Sequence, residues 1–306
     1  MHFEYRDPWT RHTKLVYTVT RIYESFESEI QQIDVFEAKD WGTVLALGGV
    51  TNVTDRDESS YHEMLAHVAV LAHPNPKRVL IIGGGDGGTL REVLRHPEVE
   101  QAVLVDIDGE VIRCAKQYFP HLAKAFKNPR AEVLVEDGLA YVKRAKEAGE
   151  SFDVILVDST DPVDGAVELF TEAFYRDCAA VLGEQGILVP QSDSPVFFPD
   201  RVKHIVDTLG GIFANTRLYV GQCVAYPSGF WAFCAASQGV DVGAVSVDPE
   251  RVARLEPQLR YMNADMFRAC FALPTYIRRA LAGDLRRGEP TLGDDADTMD
   301  IPDTDD

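Results

Sequence analysis

This 306-residue sequence has little that would suit disulfides, a metal centre or a membrane. Its five cysteines (Cys114, Cys178, Cys223, Cys234, Cys270) are odd in number, widely spaced, and form no C-x-x-C pair. Most sit among apolar residues, which suits buried free thiols, and the ligand spacings of a zinc site are missing. No metal is expected. No apolar run approaches the roughly 18–20 residues of a membrane span. The polar and aromatic start, MHFEYRDPWTRHTK, does not have the form of a signal peptide, so cytoplasm is the default expectation. Basic charge is short as well. The formal charge of −19 argues against nucleic acid as a partner. Seven of the aspartates lie in the last segment from Gly293, leaving the body at about −12. That excess fits a cationic substrate, solubility or a salty habitat alike, and bulk charge does not choose among them.

What is present is a globular composition, 45% apolar and 26% charged, long enough for one large domain and a small one. Residues 13–54 read as β structure: Thr13–Tyr23, Ile33–Ala38, Trp41–Leu47 and Val50–Val53, with Gly48-Gly49 as a turn. Met64, Leu65, Val68 and Leu71 then recur at helical spacing up to His73-Pro74-Asn75-Pro76. From Val79 strands and helices alternate five times, and Thr216–Val224 with Gly229–Ala235 reads as a closing hairpin. The expected fold is α/β, a doubly wound, mostly parallel sheet with an antiparallel edge behind a small N-terminal antiparallel β domain. The boundaries are 1–58 for the β domain, 59–283 for the sheet domain and 284–306 for an acidic tail, expected to be disordered. A last helix is expected over Ala264–Ala282, with Pro274 able to split it.

The stretch Val79 to Arg91, VLIIGGGDGGTLR, sets the rest. A buried strand, a glycine turn and a helix start form the first βα unit of a nucleotide-binding sheet, and Gly83, Gly85 and Gly88 satisfy G-x-G-x-x-G. Asp86 is the odd member: it puts a negative charge where a phosphate or carboxylate usually binds. The other strand ends are acidic too. Asp106, 20 residues on, is placed to bind ribose hydroxyls, while Asp108 reads as a helix cap. Asp137-Gly138 reads either as an N-cap or as an adenine contact. Asp158 follows a wholly apolar strand, and Asp161 precedes Pro162 in a turn. Carboxylates facing one another across a cleft make a cation site or an acid/base site.

A dinucleotide fits these charges badly, because Asp86 and Asp158 would both face its pyrophosphate. Adenosine with a cationic side chain fits better, which means a sulfonium nucleoside. Ordinary S-adenosylmethionine carries a carboxylate that Asp86 repels; the decarboxylated form carries only the ammonium that Asp86 attracts.

At this point the chain resembles the spermidine synthases, the polyamine aminopropyltransferases. The motifs are DRDESSYHEM (55–64), HPNPKRVLIIGGGDGGTLREVLRHPEVE (73–100), VDSTDP (157–162), VELF (167–170), AYPSG (225–229) and FALPTYI (271–277). The resemblance implies a Rossmann-like domain behind a β domain, a homodimer or homotetramer formed through that β domain, and no permanently bound cofactor. It implies transfer of aminopropyl from decarboxylated S-adenosylmethionine to a diamine, most simply putrescine. By position it makes Gln31, His62, Gly83, Gly85, Asp86, Asp106, Asp137 and Gly138 nucleoside residues. Asp158 then resembles the catalytic aspartate, with Tyr61 and Asp161 beside the attacking nitrogen. Gln191, Tyr226 and Trp231 join His62, Asp86, Asp158 and Asp161 around the amine, and Trp9 and Trp231 suit either its aliphatic stem or core packing.

Three departures bear on the amine rather than the reaction, the first being Gly48 where the family has an Asp before Gly-Val. After Asp161-Pro162 the chain reads Val163-Asp164-Gly165 where the family has a Gly-Pro pair, and Ser192-Asp193-Ser194-Pro195 brings an extra acid placed to meet the far amine. Cadaverine, agmatine and spermidine remain alternative acceptors. An amine N-methyltransferase on the same fold is the nearest rival; a nicotinamide oxidoreductase and a non-catalytic polyamine-binding subunit are more distant ones.

Overall fold

The computed structural model describes residues 3–160 and 164–284. Asp161 and, beyond Asp284, the acidic tail lie outside them.

The first sheet has five antiparallel strands in chain order: β1 (Phe3–Thr10), β2 (Thr13–Glu27), β3 (Gln32–Ala38), β4 (Gly42–Leu47) and β5 (Val50–Thr54). β1 was not expected from sequence, because FEYRDPWT mixes charges with Pro8. It lies at the edge of the sheet, where a missing N–H is tolerated. Inward residues of this sheet, Ile33, Val35, Leu45 and Val53, pack against Val111, Cys114, Phe119 and Leu122.

Helix α1 (Glu58–Ala72) follows, then β6 (Arg78–Gly83), α2 (Gly88–Leu94), β7 (Gln101–Asp106), α3 (Gly109–Tyr118), the one-turn α4 (Pro120–Ala123) and β8 (Ala131–Val135). After α5 (Gly138–Glu147) come β9 (Phe152–Asp158), α6 (Glu172–Ala180), β10 (Leu182–Pro190), α7 (Pro199–Gly210), β11 (Asn215–Gln222) and β12 (Phe230–Ser237). The expected last helix is split by Pro274 into α9 (Ala264–Ala269) and α10 (Thr275–Leu281); a further helix before them, α8 (Pro249–Leu255), was not foreseen, although Asp248 caps it and Pro249 opens it.

The second sheet runs β11-β12-β10-β9-β6-β7-β8. β10, β9, β6, β7 and β8 are parallel, and the β11–β12 hairpin adds the antiparallel edge. The expected architecture holds. Alternate residues of each strand enter opposite layers: Val79, Ile81 and Leu104 join one apolar cluster with α1 and α2, while Leu80, Ile82 and Val105 join the other with Tyr141 and Tyr175. β6 has β7 on one side and β9 on the other, so the winding reverses there, and a crevice opens beyond the carboxyl ends of these strands.

α1 is buried all round, yet it contains Glu58, His62, Glu63 and His67. Buried charge must be paired, and it is. Glu63 accepts the backbone N–H groups of Arg260, Tyr261 and Met262 at 2.8, 2.9 and 2.7 Å, which ties the helix to the C-terminal segment. No described helix is long and apolar enough to cross a membrane.

Candidate active site

The glycine loop and β9 make the floor of the crevice. Gly83 pairs with Asp158 across the parallel ladder, and the Gly84 N–H donates to the Asp158 carbonyl at 2.9 Å. Gly83 has φ +81°, and a Cβ there would collide with the Asp158 backbone. A Cβ on Gly88 would collide with the His62 imidazole. The glycines were expected to admit a ligand. They also admit the site's own side chains, with Asp158, Asp106 and His62 lying against Gly84, Gly85 and Gly88.

Asp158 is held by two hydroxyls, Tyr61 Oη at 2.8 Å and Thr89 Oγ1 at 2.6 Å. Burial and the nearby Asp86 charge push its carboxyl above the ordinary aspartate range. Tyr61 is itself held protonated by burial and by Asp158, so it is a donor rather than a base. Asp86 accepts the Gly88 N–H at 2.7 Å and lies 3.2 Å from His62 Nε2. The other ring nitrogen, Nδ1, is 2.8 Å from Glu58. Burial opposes a charge on His62, but Asp86 and Glu58 outweigh it and raise its pKa well above the usual histidine value. Burial opposes the charge on Glu58 too, but His62 and then Arg91, at 2.8 and 3.1 Å, outweigh it and lower its pKa to about 2. His62, Asp86 and Asp158 each bring one donor atom to within 4.8 Å of the others. That spacing suits a small cation, metal or ammonium.

Towards β7 and β8 the partners change. Asp106 accepts the N–H groups of Gly85 and Asp108, both at 2.8 Å, and burial pushes its pKa up to about 6. Asp108 caps α3 through Glu110 N and also binds Ser28 and Gln31 Nε2, which brings the β2–β3 hairpin and Gln31 to this end. Asp137 caps α5, accepting Leu139 N at 2.7 Å. Gly138 is where α5 meets β6; a Cβ there would collide with Ile82. Two apolar side chains beside these acids are open to solvent, Ile107 at 51% and Val135 at 61%. They were not foreseen as candidates; an apolar residue flanking a strand-end acid, after Asp106 and before Glu136-Asp137, was the available signal.

The remaining predicted residues divide. Tyr226 packs edge-on against Tyr61, centroids 5.4 Å apart, and donates its hydroxyl to the Asn52 carbonyl. Trp231 lies behind Tyr226, 4% exposed, with its indole N–H unpartnered among the described residues. Gln191 reaches the cleft edge, but both ends of its amide are engaged, to the Ser159 and Thr160 carbonyls and to Asp193 N. Asp193 does not wait for a far amine. It is 1% exposed, accepts Ser194 N at 2.5 Å and meets Arg201 at 3.3 Å. Thr89, Glu58 and Arg91 were not singled out in advance; each acts by contacting a residue that was.

A spermine/spermidine synthase domain matches residues 58–244. The polyamine aminopropyltransferase of Thermotoga maritima is 44% identical over 264 residues, 86% of this chain and 88% of the relative. That of Bacillus cereus is 41% identical over 277 residues, 90% of this chain and 98% of the relative. A crystal structure of spermidine synthase in complex with the transition-state analogue AdoDATO superposes with a TM-score of 0.88 at 43% identity, covering 92% of this chain and 96% of that one. Spermidine synthase from Thermotoga maritima gives 0.87 at 42% identity, covering 92% of this chain and 95% of that one. The chain belongs to the spermine/spermidine synthase family of polyamine aminopropyltransferases.

Proposed function

We propose that this chain transfers the aminopropyl group of decarboxylated S-adenosylmethionine to putrescine, giving spermidine and methylthioadenosine. The observation that carries the reading is the convergence of His62, Asp86 and Asp158 on one cation-sized space at the switch point of the sheet. The acceptor rests on a narrower base, the name spermidine synthase borne by the structural neighbours.

In this reading Gln31, Asp106, Asp137 and Gly138 hold the nucleoside, with adenine between Ile107 and Val135. Asp86 and His62 take the aminopropyl ammonium, and Gly83 and Gly85 shape the loop beneath it. Asp161, Gln191 and Tyr226 surround the diamine, with Trp231 backing Tyr226. The acceptor arrives as a dication, since alkyl amines titrate near pH 10. A sulfonium about 4 Å from the attacking nitrogen opposes its proton by roughly 4 kcal/mol at an effective dielectric of 20, about three pKa units. Asp158, whose basicity is raised by burial and by Asp86, then takes that proton. The Tyr61 hydroxyl keeps the carboxylate aimed. The nitrogen attacks the carbon next to sulfur, that C–S bond breaks, and its electron pair stays on methylthioadenosine.

The test is purified protein with decarboxylated S-adenosylmethionine and a panel of putrescine, cadaverine, agmatine and spermidine, read by product mass. The expected result is aminopropylated putrescine as the dominant product. A methylated amine formed from ordinary S-adenosylmethionine would replace this reading with the methyltransferase, and a different preferred amine would change only the acceptor.

A further inference from the structure

His62 has no freedom in this fold. Its ring lies against the Gly88 backbone, where even a methyl group would not fit. The groups facing it come from every neighbouring element: Glu58 and the edge of Tyr61 from α1, Asp86 from the glycine loop, and Asp158 from the end of β9. Arg91 from α2 reaches it only through Glu58, and Tyr226 from the loop after β11 turns its hydroxyl away to Asn52. Arg91 cannot swing aside, because its Nε is also bound to buried Glu92 at 2.6 Å. A neutral imidazole carries one N–H and could serve only one of its two flanking carboxylates as a donor. An imidazolium serves both. Three carboxylates around one ring are unbalanced without that charge, and the proposed substrate brings its own ammonium to the same place.

We propose that Glu58, clamped by Arg91, is a positioning residue that keeps His62 protonated in the ligand-free enzyme, so that the imidazolium, held between Glu58 and Asp86 and close to Asp158, acts as a surrogate cation and yields its proton to solvent when the aminopropyl ammonium takes over. This rests on the reading of decarboxylated S-adenosylmethionine as the ligand. The imidazole left behind accepts a hydrogen bond from the ammonium while Nδ1–H still donates to Glu58. Charge is conserved at the site: one cation leaves as a proton and another enters. Methylthioadenosine, which has no ammonium, leaves the proton in place. The sign of the pH effect follows. The proton competes with the substrate, so affinity for the decarboxylated nucleoside rises with pH up to the His62 titration, and affinity for methylthioadenosine does not.

Isothermal titration calorimetry at pH 7, in two buffers of different ionisation enthalpy, counts the protons exchanged. Decarboxylated S-adenosylmethionine should release about one proton per site from the native protein, and methylthioadenosine about none. Glu58→Gln and His62→Gln should each bring the release for the first ligand close to zero. Binding of that ligand to native protein with no net proton exchange overturns the proposal, as does an undiminished release from Glu58→Gln. The second measurement needs no ligand and no altered carboxylate: the imidazole ¹⁵N shifts of native protein, with the His62 signals assigned by their loss in His62→Gln. A neutral His62 at pH 7 overturns the proposal. A protonated His62 in a protein that binds no decarboxylated nucleoside keeps the charge assignment and defeats instead the proposed function.

Discussion

Two halves of one cleft use the same residue, aspartate, and hold it differently. On the side towards β7 and β8 Asp106, Asp108 and Asp137 accept backbone N–H groups of the glycine loop or of their own helix starts, Asp108 also taking Ser28 and Gln31. On the side of β9 and α1 Asp158 accepts hydroxyls from Tyr61 and Thr89, 97 and 69 positions away, and Asp86 adds the imidazole of His62 to its one local bond. A carboxylate fixed by backbone is a rigid acceptor whose environment the local chain dictates. A carboxylate fixed by titratable and hydroxyl side chains is one whose basicity and charge partner are adjustable, which suits proton removal and discrimination between cations.

The sharpest break of that contrast is Asp158→Asn. The amide keeps a similar shape for Tyr61 and Thr89 but cannot take a proton, so turnover should fall by about 10²–10⁴-fold while methylthioadenosine affinity, set on the other side, stays within a few-fold. Near-native turnover would remove Asp158 from the role of base. Asp86→Ser is expected to do less. A charge pair at several ångströms and an effective dielectric near 20 is worth about 2 kcal/mol, so preference for decarboxylated over ordinary S-adenosylmethionine should shrink by roughly 30-fold in competition binding. Unchanged preference would show that the loop aspartate selects nothing. The smallest effect belongs to the backbone-held side. Because burial pushes Asp106 up to about 6, lowering the pH from 7 to 5 protonates it, and methylthioadenosine should bind several-fold more weakly. Asp106→Asn should flatten that profile. The same shift means that folding favours the protonated carboxyl, so this group's contribution to stability is full below its unfolded value of 3.8 and is lost as the pH rises through about 6.

The same contrast explains what was legible in the sequence. Apolar strands ending in glycine or acid gave the parallel sheet and put Asp86, Asp106, Asp137 and Asp158 at one edge, because strand direction fixes where each chain end must be. Caps such as Asp108 were legible because their partners lie two residues away. Glu58 was not, since a helix of mixed polarity reads as half-solvated until the packing shows it buried all round, nor were Thr89 and Arg91 on α2, whose partners Asp158 and Glu58 lie on other elements. Asp193 looked like a spare acid because Arg201, its partner, sits on the next helix. Trp231 occupies the layer behind Tyr226, and apolar sequence alone cannot separate that layer from the cleft wall. Which family the chain belongs to was legible from its motifs; which partner steadies each site residue was not.

Glu63 has a consequence for how the protein is made. It sits next to His62 in the sequence, but its ligands, the N–H groups of Arg260 to Met262, lie up to 199 positions later. At roughly 5–20 residues per second, a ribosome needs about 10–40 seconds to supply them. Until then the helix carrying Tyr61 and His62 lacks the three N–H groups that hold Glu63 in the folded protein. The candidate site, begun in the first fifth of the chain, is therefore completed near the end of synthesis, and a prematurely terminated chain would contain the site's residues without their final placement.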